Sequence, residues 1–268
     1  MLKPFLKWAG GKYRVLPHIL PELPVTGTYV EPFAGSAAVW LNVDCVKSVV
    51  CDKNADLISL YNFLKSEGES FIRYCASFFI PENNTQSAYY KFRGKFNGSD
   101  DARLRAALFV YLNRHCFNGL ARFNAQGKFN TPFGRYKAPH FPCQEMRSFC
   151  EKSRHADFVC RDFRDVFQNL QPNDVVYCDP PYAPLSQTTN FTAYTGGGFS
   201  FADQEDLARL ALEAVGRGVT VLISNHDTPE TRELYAHARI IHFPVQRAIS
   251  CKGNNRKAVP EILAVFRM

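Results

Sequence analysis

Asp179, Pro180, Pro181 and Tyr182 follow directly on the apolar run Val175-Val176-Tyr177-Cys178. A β-branched run of that length reads as a buried strand, and the two prolines stop it abruptly. Proline fixes its own φ at about −65° and drives the residue before it into extended backbone, so the turn is stiff. It carries the Asp179 carboxylate, the Pro180 carbonyl and the Tyr182 ring to the C-terminal end of a strand, where open α/β sheets bind their ligands. Two acceptors and an aromatic face suit one task, gripping a planar heterocycle by an exocyclic amino group. Such an amine is a poor nucleophile because its lone pair is delocalised into the ring. Acceptors that take both N–H protons favour a pyramidal nitrogen and aim the lone pair at an incoming methyl group. The plainer reading of the same four residues is a strand-ending turn with a surface aspartate, and the rest of the chain decides between the two.

Upstream, Glu31-Pro32-Phe33-Ala34-Gly35-Ser36 falls where a short apolar run hands over to a helix-like stretch, the place where an α/β sheet cradles a nucleotide-like ligand. The segment lacks the spacing of a dinucleotide fingerprint, and no Gly-Lys-Ser/Thr follows to make a phosphate loop. Asp52 comes seventeen residues after Gly35, at the end of the next apolar run. An acid there accepts hydrogen bonds from ribose hydroxyls. A ribose acceptor beside a loop unsuited to pyrophosphate points to an adenosine ligand without phosphates, of which S-adenosylmethionine is the common one. The alternative is that Asp52 caps the helix after it. Near residue 1, Phe5-Leu-Lys-Trp-Ala-Gly-Gly-Lys12 joins three features. The Gly10-Gly11 turn lets backbone approach a ligand, the Trp8 face suits a sulfonium, and the Lys12 ammonium suits a carboxylate.

The elements that must position these groups alternate. Strand-like runs at Thr28–Val30, Ser48–Cys51, Asp157–Cys160, Asp174–Cys178 and Val219–Ser224 are interleaved with helical patterns at Val39–Val43, after Asn54 or Asp56 as cap, at Asp162–Leu170 and at Phe201–Arg217. Two further strand candidates, Arg239–Val245 and Glu261–Phe266, are joined by the polar stretch Ser250–Lys257. Alternation implies a doubly wound, mostly parallel α/β sheet, and the closing pair implies an antiparallel edge. The rhythm breaks between residues 57 and 144, where helical patterns at Gln86–Phe96 and Ala102–Phe117 lead into a Gly-, Asn- and Pro-punctuated stretch with a hairpin expected around Ala125-Gln-Gly127. The expected organisation is a catalytic domain over residues 1–56 and 145–268 with a helical insert at 57–144. Ser186–Ser200, rich in Thr, Ser, Asn and Gly, reads as a mobile loop after the proline turn.

Composition bounds the function. At 268 residues, 46% hydrophobic and 14% aromatic, the chain buries a substantial core and is not disordered. No long apolar span or signal-type leader stands out, so a cytoplasmic protein is expected, in a bacterial or phage-infected cell. The nine cysteines are odd in number and form no C-x-x-C pair, against both a disulfide framework and a zinc knuckle, and no metal site is indicated. The net charge of +7 is not spread evenly. Residues 102–144 hold Arg103, Arg105, Arg114, Arg122, Lys128, Arg135 and Lys137 and no acid, and outside that segment 25 basic residues match 25 acidic ones. With Tyr111, Phe117, Phe123, Phe129, Phe133 and Tyr136 interleaved, the segment reads as a nucleic-acid footprint, with cations for phosphates and rings to stack or wedge. A solvated basic face is the bland alternative.

Taken in order, Phe5–Lys12, Glu31–Gly35, Asp52, Tyr111-Leu-Asn-Arg114, Asn118-Gly-Leu, Phe129–Tyr136, Asp179–Tyr182, Ala183-Pro-Leu and Leu222-Ile-Ser-Asn-His-Asp227 resemble the Dam-type DNA adenine-N6 methyltransferases over nearly the whole chain. The resemblance implies a methyltransferase-type sheet with an inserted target-recognition domain. It implies S-adenosylmethionine as cofactor, held by Trp8, Gly10, Gly11, Lys12, Glu31, Pro32, Phe33, Gly35, Ser36, Asp52, Asp162, Phe163 and Asp179. Asp179, Pro180 and Tyr182 are the implied catalytic residues, with Tyr182 stacked on a flipped adenine. Phe117, Asn118, Leu120, Arg122, Pro132, Arg135 and Lys137 are the implied contacts to double-stranded DNA, with Arg122 reading guanine. The family's usual target is GATC, and a monomer is expected. Two residues depart from the pattern: Ala37 stands where a second Gly is usual, which tightens the first loop, and Phe117 stands where Tyr is common. The competing readings are an RNA or protein N-methyltransferase with the same turn, and an inactive DNA-binding regulator on the same scaffold. Wedge-like aromatics in the basic insert disfavour a protein substrate, and the intact proline turn disfavours the regulator.

Overall fold

Short β-branched runs and longer helical stretches resolve, in this computed structural model, into strands β1 (Tyr29–Glu31), β2 (Ser48–Asp52), β3 (Ala156–Cys160), β4 (Val175–Cys178), β5 (Thr220–His226), β6 (Arg239–Val245) and β7 (Val259–Phe266). The helices are α1 (Leu16–Ile19), α2 (Ala55–Glu67), α3 (Glu69–Ala76), α4 (Gln86–Gly98), α5 (Ala102–His115), α6 (Cys143–Lys152), α7 (Phe163–Gln168), α8 (Phe201–Gly216) and α9 (Pro229–Leu234). The structure describes residues 1–182, 199–245 and 259–268. The loop expected over Ser186–Ser200, except Ser200 and the adjoining Phe199, the Ala183-Pro-Leu motif and the Ser250–Lys257 connection lie outside the described residues.

The chain forms two bodies. One comprises residues 15–34, 43–53 and 161–268, and it is built on strands in the order β2-β1-β4-β5-β7-β6. The β1·β2, β1·β4 and β4·β5 pairs are parallel, and β7 runs antiparallel between β5 and β6. The fold is therefore α/β, mostly parallel with an antiparallel edge, as the alternation implies. All four residues of β4 are buried, the continuous apolar pattern of a parallel strand covered on both faces. From β1 the chain adds β2 on one side and later β4 on the other, so the strand order reverses at β1, the kind of position where α/β sheets open a crevice. Helix α8 packs against β5 and β7. Its Ser200–Asp203 capping box fixes where it starts, satisfying backbone donors that the first turn leaves orphaned.

The other body comprises residues 1–14, 35–42 and 54–160. It takes in the helical stretch expected as an insert, together with residues 1–14 and 35–42 and the chain through β3. Asn54, Thr85 and Asp101 cap α2, α4 and α5 by accepting backbone N–H bonds, as Ser, Thr, Asp and Asn do at helix starts. With Asn54 as the cap of α2, capping is not the task of Asp52. Helix α5 runs through the middle, packed on α2, α3 and α4, with every residue from Ala106 to Asn113 buried. Phe5, Trp40, Tyr61, Phe149 and Phe158 form an aromatic core with ring centroids 4.7–6.0 Å apart.

Some local expectations shift. Val39–Val43 is not a helix. It is a turn in which Leu41 and Asn42 donate to Ala37 and Val39, because Ala37 enters with φ +55°, outside the helical region. Helix α5 stops at His115, two residues early, because Cys116 is extended at φ −76°, ψ 161° and Phe117 turns away. Asp162 caps α7 from outside rather than lying within it. The hairpin around Ala125-Gln-Gly127 forms, with Phe123 bridging Phe129, Asn124 bonded to Lys128, and Gly127 at φ +70°.

Candidate functional site

In the sheet body, parallel strands bring their C-terminal ends to one edge. Glu31 pairs with Val50 across β1 and β2, so Asp52 lies two residues beyond it on the neighbouring strand. Val30 pairs with Val176 and Cys178 with Ile223, which sets Asp179 just past the end of β4, level with Ser224. Asp52 and Asp179 therefore end strands on either side of β1, about 10 Å apart by two strand spacings. Glu31 ends the strand between them, 2% exposed, its Oε2 accepting a 2.7 Å hydrogen bond from the Tyr29 hydroxyl. Burial first, and then the adjacent Glu31 carboxylate, push the Tyr29 phenol well up, so it stays a donor.

Beside the end of β2, Arg161 N–H donates to the Asp52 carbonyl, and Lys53 Nζ lies 3.3 Å from the Asp162 carboxylate. Asp162 also accepts from Arg164 N–H, and Arg164 in turn pairs with Asp203 and Asp206. The Asp162 carboxyl is held below its ordinary range although burial opposes this, because the bonds from Arg164 N–H and Lys53 outweigh the desolvation. Phe33, Phe163 and Phe199 form a ring triad with centroids 5.5–5.6 Å apart. Pro32 and Phe163 are buried, while Phe33 is partly open.

The proline turn is held from outside. Pro180 is buried, Asp179 and Tyr182 are partly exposed, and neither Pro180 nor Pro181 has an N–H to anchor the turn through. Tyr182 OH donates to Glu261 Oε2 on β7 at 3.0 Å, and its ring lies edge-on to His226 at 4.8 Å. Burial, and then the nearby Asp179 carboxylate, raise the Tyr182 phenol well above its usual value, so its proton stays on. Gln204 on α8 donates to the Pro181 carbonyl at 2.8 Å.

The helical body carries the other candidates. Trp8 packs on Gly35: a Cβ there would stand 2.7 Å from the indole Nε1, and Gly35 has φ +46°, so only glycine fits on both counts. The Gly35 carbonyl accepts from Tyr61 OH at 2.5 Å. Lys12, 5% exposed, folds back so that Nζ donates to the Gly10 carbonyl at 2.5 Å, and Gly10 has φ +73°. Gly11 is exposed, and a Cβ on it would approach the buried Ser36 hydroxyl to 3.7 Å.

Lys7, one residue before Trp8, is tied to the basic loop by Asn113, which is fully buried. Asn113 Oδ1 accepts from Lys7 N–H at 2.9 Å, and its Nδ2 donates to the Lys7 and Gly119 carbonyls at 2.8 and 3.2 Å. Phe117–Gly119 is a tight turn with Asn118 at φ +54°, and Phe117 is 51% exposed. Phe117 N–H donates to the Pro132 carbonyl and Asn118 N–H to Tyr136 OH, so Pro132 and the turn form one surface. Leu120 is partly open, and its carbonyl takes the Thr131 hydroxyl at 2.6 Å. Arg122 is exposed and held by Nε to Asn130 Oδ1 at 2.7 Å, while Arg135 (φ +53°) and Lys137 are exposed.

The reading of the basic segment as one uniform footprint needs correction. Arg105 makes a bidentate pair with Asp56 at 2.7–2.8 Å, and Arg103 pairs with Glu67 at 2.8 Å while stacking over Tyr74. Arg114 has its Nε buried. These three cations turn inward or find acids that lie outside the acid-free segment, which counting within a window cannot reveal. Arg122, Lys128, Arg135 and Lys137 remain exposed. Sequence reasoning also passed over Phe199, Gln204, Glu261 and Asn113 as site residues. Asn113 and Asn225 lie within quoted motifs, whereas nothing local to Gln204 or Glu261 signals a contact across some twenty or eighty residues.

Among the described residues, no three His, Cys, Asp or Glu side chains gather into a metal site, and no helix is long and apolar enough to cross a membrane. Comparison with known proteins gives a consistent set. The family profile of D12 class N6 adenine-specific DNA methyltransferases matches residues 8–249. The DNA adenine methylase of Serratia marcescens is 49% identical over 264 residues, which is 98% of both chains. The DNA adenine methylases of Vibrio cholerae and Escherichia coli K12 are each 48% identical over 263 residues, covering 98% of this chain and 95% of theirs.

Proposed function

Since the chain belongs to the D12 class N6 adenine-specific DNA methyltransferases, we propose that it methylates adenine N6 within GATC, taking the methyl group from S-adenosylmethionine and working on a base flipped out of duplex DNA. The observation that carries the reading is the Asp179-Pro-Pro-Tyr182 turn, stiff at the end of β4 beside the strand-order reversal, with Tyr182 tied back to Glu261.

The residues fit the cofactor. Asp52, at the end of β2, has the position of a ribose acceptor, and the Phe33–Phe163 pair offers apolar faces to an adenine ring. Glu31, Pro32 and Ser36 complete the loop, and Asp162 immediately precedes Phe163. Trp8 supplies a π face for a sulfonium, Lys12 an ammonium for the carboxylate, and Gly10, Gly11 and Gly35 a backbone free of Cβ atoms. When bound, the cofactor supplies an electrophilic methyl group on sulfur.

The chain's own residues do the rest. The Asp179 carboxylate and Pro180 carbonyl accept the two N6 protons and aim the nitrogen lone pair, and Tyr182 stacks on the base. Fixing two reactants in line can lower a barrier by up to roughly 7–11 kcal/mol. Asp179 serves as an acceptor, and the proton leaves after the methyl arrives. Extrusion is required because N6 cannot meet the methyl in line inside the stack. Phe117 wedges into the vacated stack, Asn118, Leu120 and Pro132 line the turn that follows the groove, Arg122 reads guanine, and Arg135 and Lys137 meet phosphates. The segment 57–144 acts as the target-recognition part and the remainder as the catalytic part, in a monomer working in the cytoplasm.

The test is to treat unmethylated DNA with purified protein and S-adenosylmethionine and map every N6-methyladenine. Modification confined to GATC bears the reading out. Modification at other sites, or activity on RNA in preference to duplex DNA, overturns it.

A further inference from the structure

The geometry points to Gln204 as a positioning residue for the Asp179–Tyr182 turn, acting through the Pro181 carbonyl and held in its own orientation by Asn225. The inference rests on the proposal that this turn carries the reacting acceptors. The turn offers carbonyl oxygens but few donors, since Pro180 and Pro181 lack N–H groups. An anchor from outside must therefore donate. Gln204, 2% exposed in the first turns of α8, places Nε2 2.8 Å from the Pro181 oxygen. Its Oε1 accepts from Asn225 Nδ2 at 3.0 Å, and that same amine also donates to the Tyr235 hydroxyl at 3.0 Å.

The direction of this relay is forced. Pro181 can only accept, so Gln204 must turn its amine toward the turn and its oxygen toward Asn225. Asn225 Oδ1 accepts from His226 N–H, which leaves its amine facing Gln204. Asn225 and Tyr235 are fully buried. The relay is thus a dry chain of amides in which every member is oriented by the next, and such networks hold geometry better than isolated bonds. Together with the Tyr182–Glu261 bond it grips the turn at two successive residues, on either side of the Pro181–Tyr182 peptide. Displacing a reacting group by about 1 Å costs about a hundredfold in rate, so the grip acts on chemistry rather than on substrate affinity.

The experiment measures single-turnover methyl transfer from labelled S-adenosylmethionine to a GATC duplex for wild type, Gln204→Leu, Gln204→Glu and Asp179→Ala. Dissociation constants for duplex and for S-adenosylmethionine, and the melting temperature, are measured beside it. Gln204→Leu is expected to lose about ten- to a hundredfold in rate while both dissociation constants stay within about threefold. Gln204→Glu provides the reading that a purely structural role would not give. A neutral carboxyl donates to Pro181 and accepts from Asn225, whereas a carboxylate opposes the Pro181 oxygen. Its rate relative to wild type should therefore climb by at least about tenfold as pH falls from about 8.5 to about 6, or match wild type throughout if burial keeps the acid protonated. A Gln204→Glu rate as low as that of Gln204→Leu at every pH overturns the proposal, as does a Gln204→Leu rate near wild type while Asp179→Ala is inactive. An active Asp179→Ala instead overturns the underlying reading of the turn.

Discussion

Asp179 sits between a strand whose four residues are all buried and two prolines that cannot flex, so its position is set by backbone rather than by side-chain packing. Removing its carboxylate should cost methyl transfer at least about a hundredfold, comparable to losing one donor aimed at a developing charge. The fold should persist, because the side chain is partly exposed. Labelled-methyl incorporation and far-ultraviolet dichroism on the purified Asp179→Ala protein check this, and near wild-type incorporation would refute the assignment. Arg122 is a different case. Asn130 holds its Nε, fixing the guanidinium plane with the side chain still exposed. Bidentate reading of a guanine is worth roughly 1–3 kcal/mol of discrimination. Arg122→Ala should relax preference at one base pair, read as kcat/KM on the cognate duplex against each single-base variant. Equal loss on all duplexes would make Arg122 a backbone clamp and turn attention to Arg135.

At the scale of elements, α5 carries the most consequence for stability. His115 ends it 1% exposed, stacked 3.9 Å from Tyr111 and bonded through Nδ1 to the Tyr111 carbonyl. Burial pulls its pKa down to about 4, so the folded chain holds it neutral. The unfolded chain binds the proton at about 6.5. Between those values the unfolded state carries more protons, so stability is intact above pH about 6.5 and falls as pH drops toward about 4, by up to roughly 3 kcal/mol. Urea midpoints across that window should slope more steeply for wild type than for His115→Gln, and equal slopes would refute the account. The elements were largely legible in the sequence. The β-branched runs gave the strands to within a residue or two, and side-chain caps such as Asn54 marked helix starts. What did not show was α1, α3, α6 and α9, short helices without a long apolar period, and the turn at Val39, where the left-handed Ala37 overrides a helical composition. The candidate catalytic turn was readable because proline chemistry is local. Its supports, Gln204 and Glu261, were not, since they depend on which helix and which antiparallel strand come to rest beside it.

For the whole molecule, net charge and binding charge differ. The excess of +7 lies in one segment, yet Arg103 and Arg105 are paired with acids and Arg114 is half-buried. If the exposed Lys128, Arg135 and Lys137 meet phosphates, the slope of log K against log salt should be roughly −3. Lys128→Glu should flatten it by about one unit. Arg103→Glu should leave the slope nearly as it is and lower the melting temperature, because it sets a carboxylate against Glu67 and removes the stack on Tyr74. Fluorescence anisotropy over a salt series separates the two, and a wild-type slope near zero would mean the segment is only a solvated face.

The seat of β7 between β5 and β6 also sets an order in time. Asp179 and Tyr182 leave the ribosome well before Glu261, and both β5 and β6 wait for β7 to complete their pairing. A nascent chain can hold every group proposed to act on the base and still lack the residue that fastens Tyr182. Translation thus leaves Tyr182 unfastened until β7 is made, after α8 has already supplied the hold on Pro181, so the two grips on the turn arrive in sequence with that on Tyr182 last.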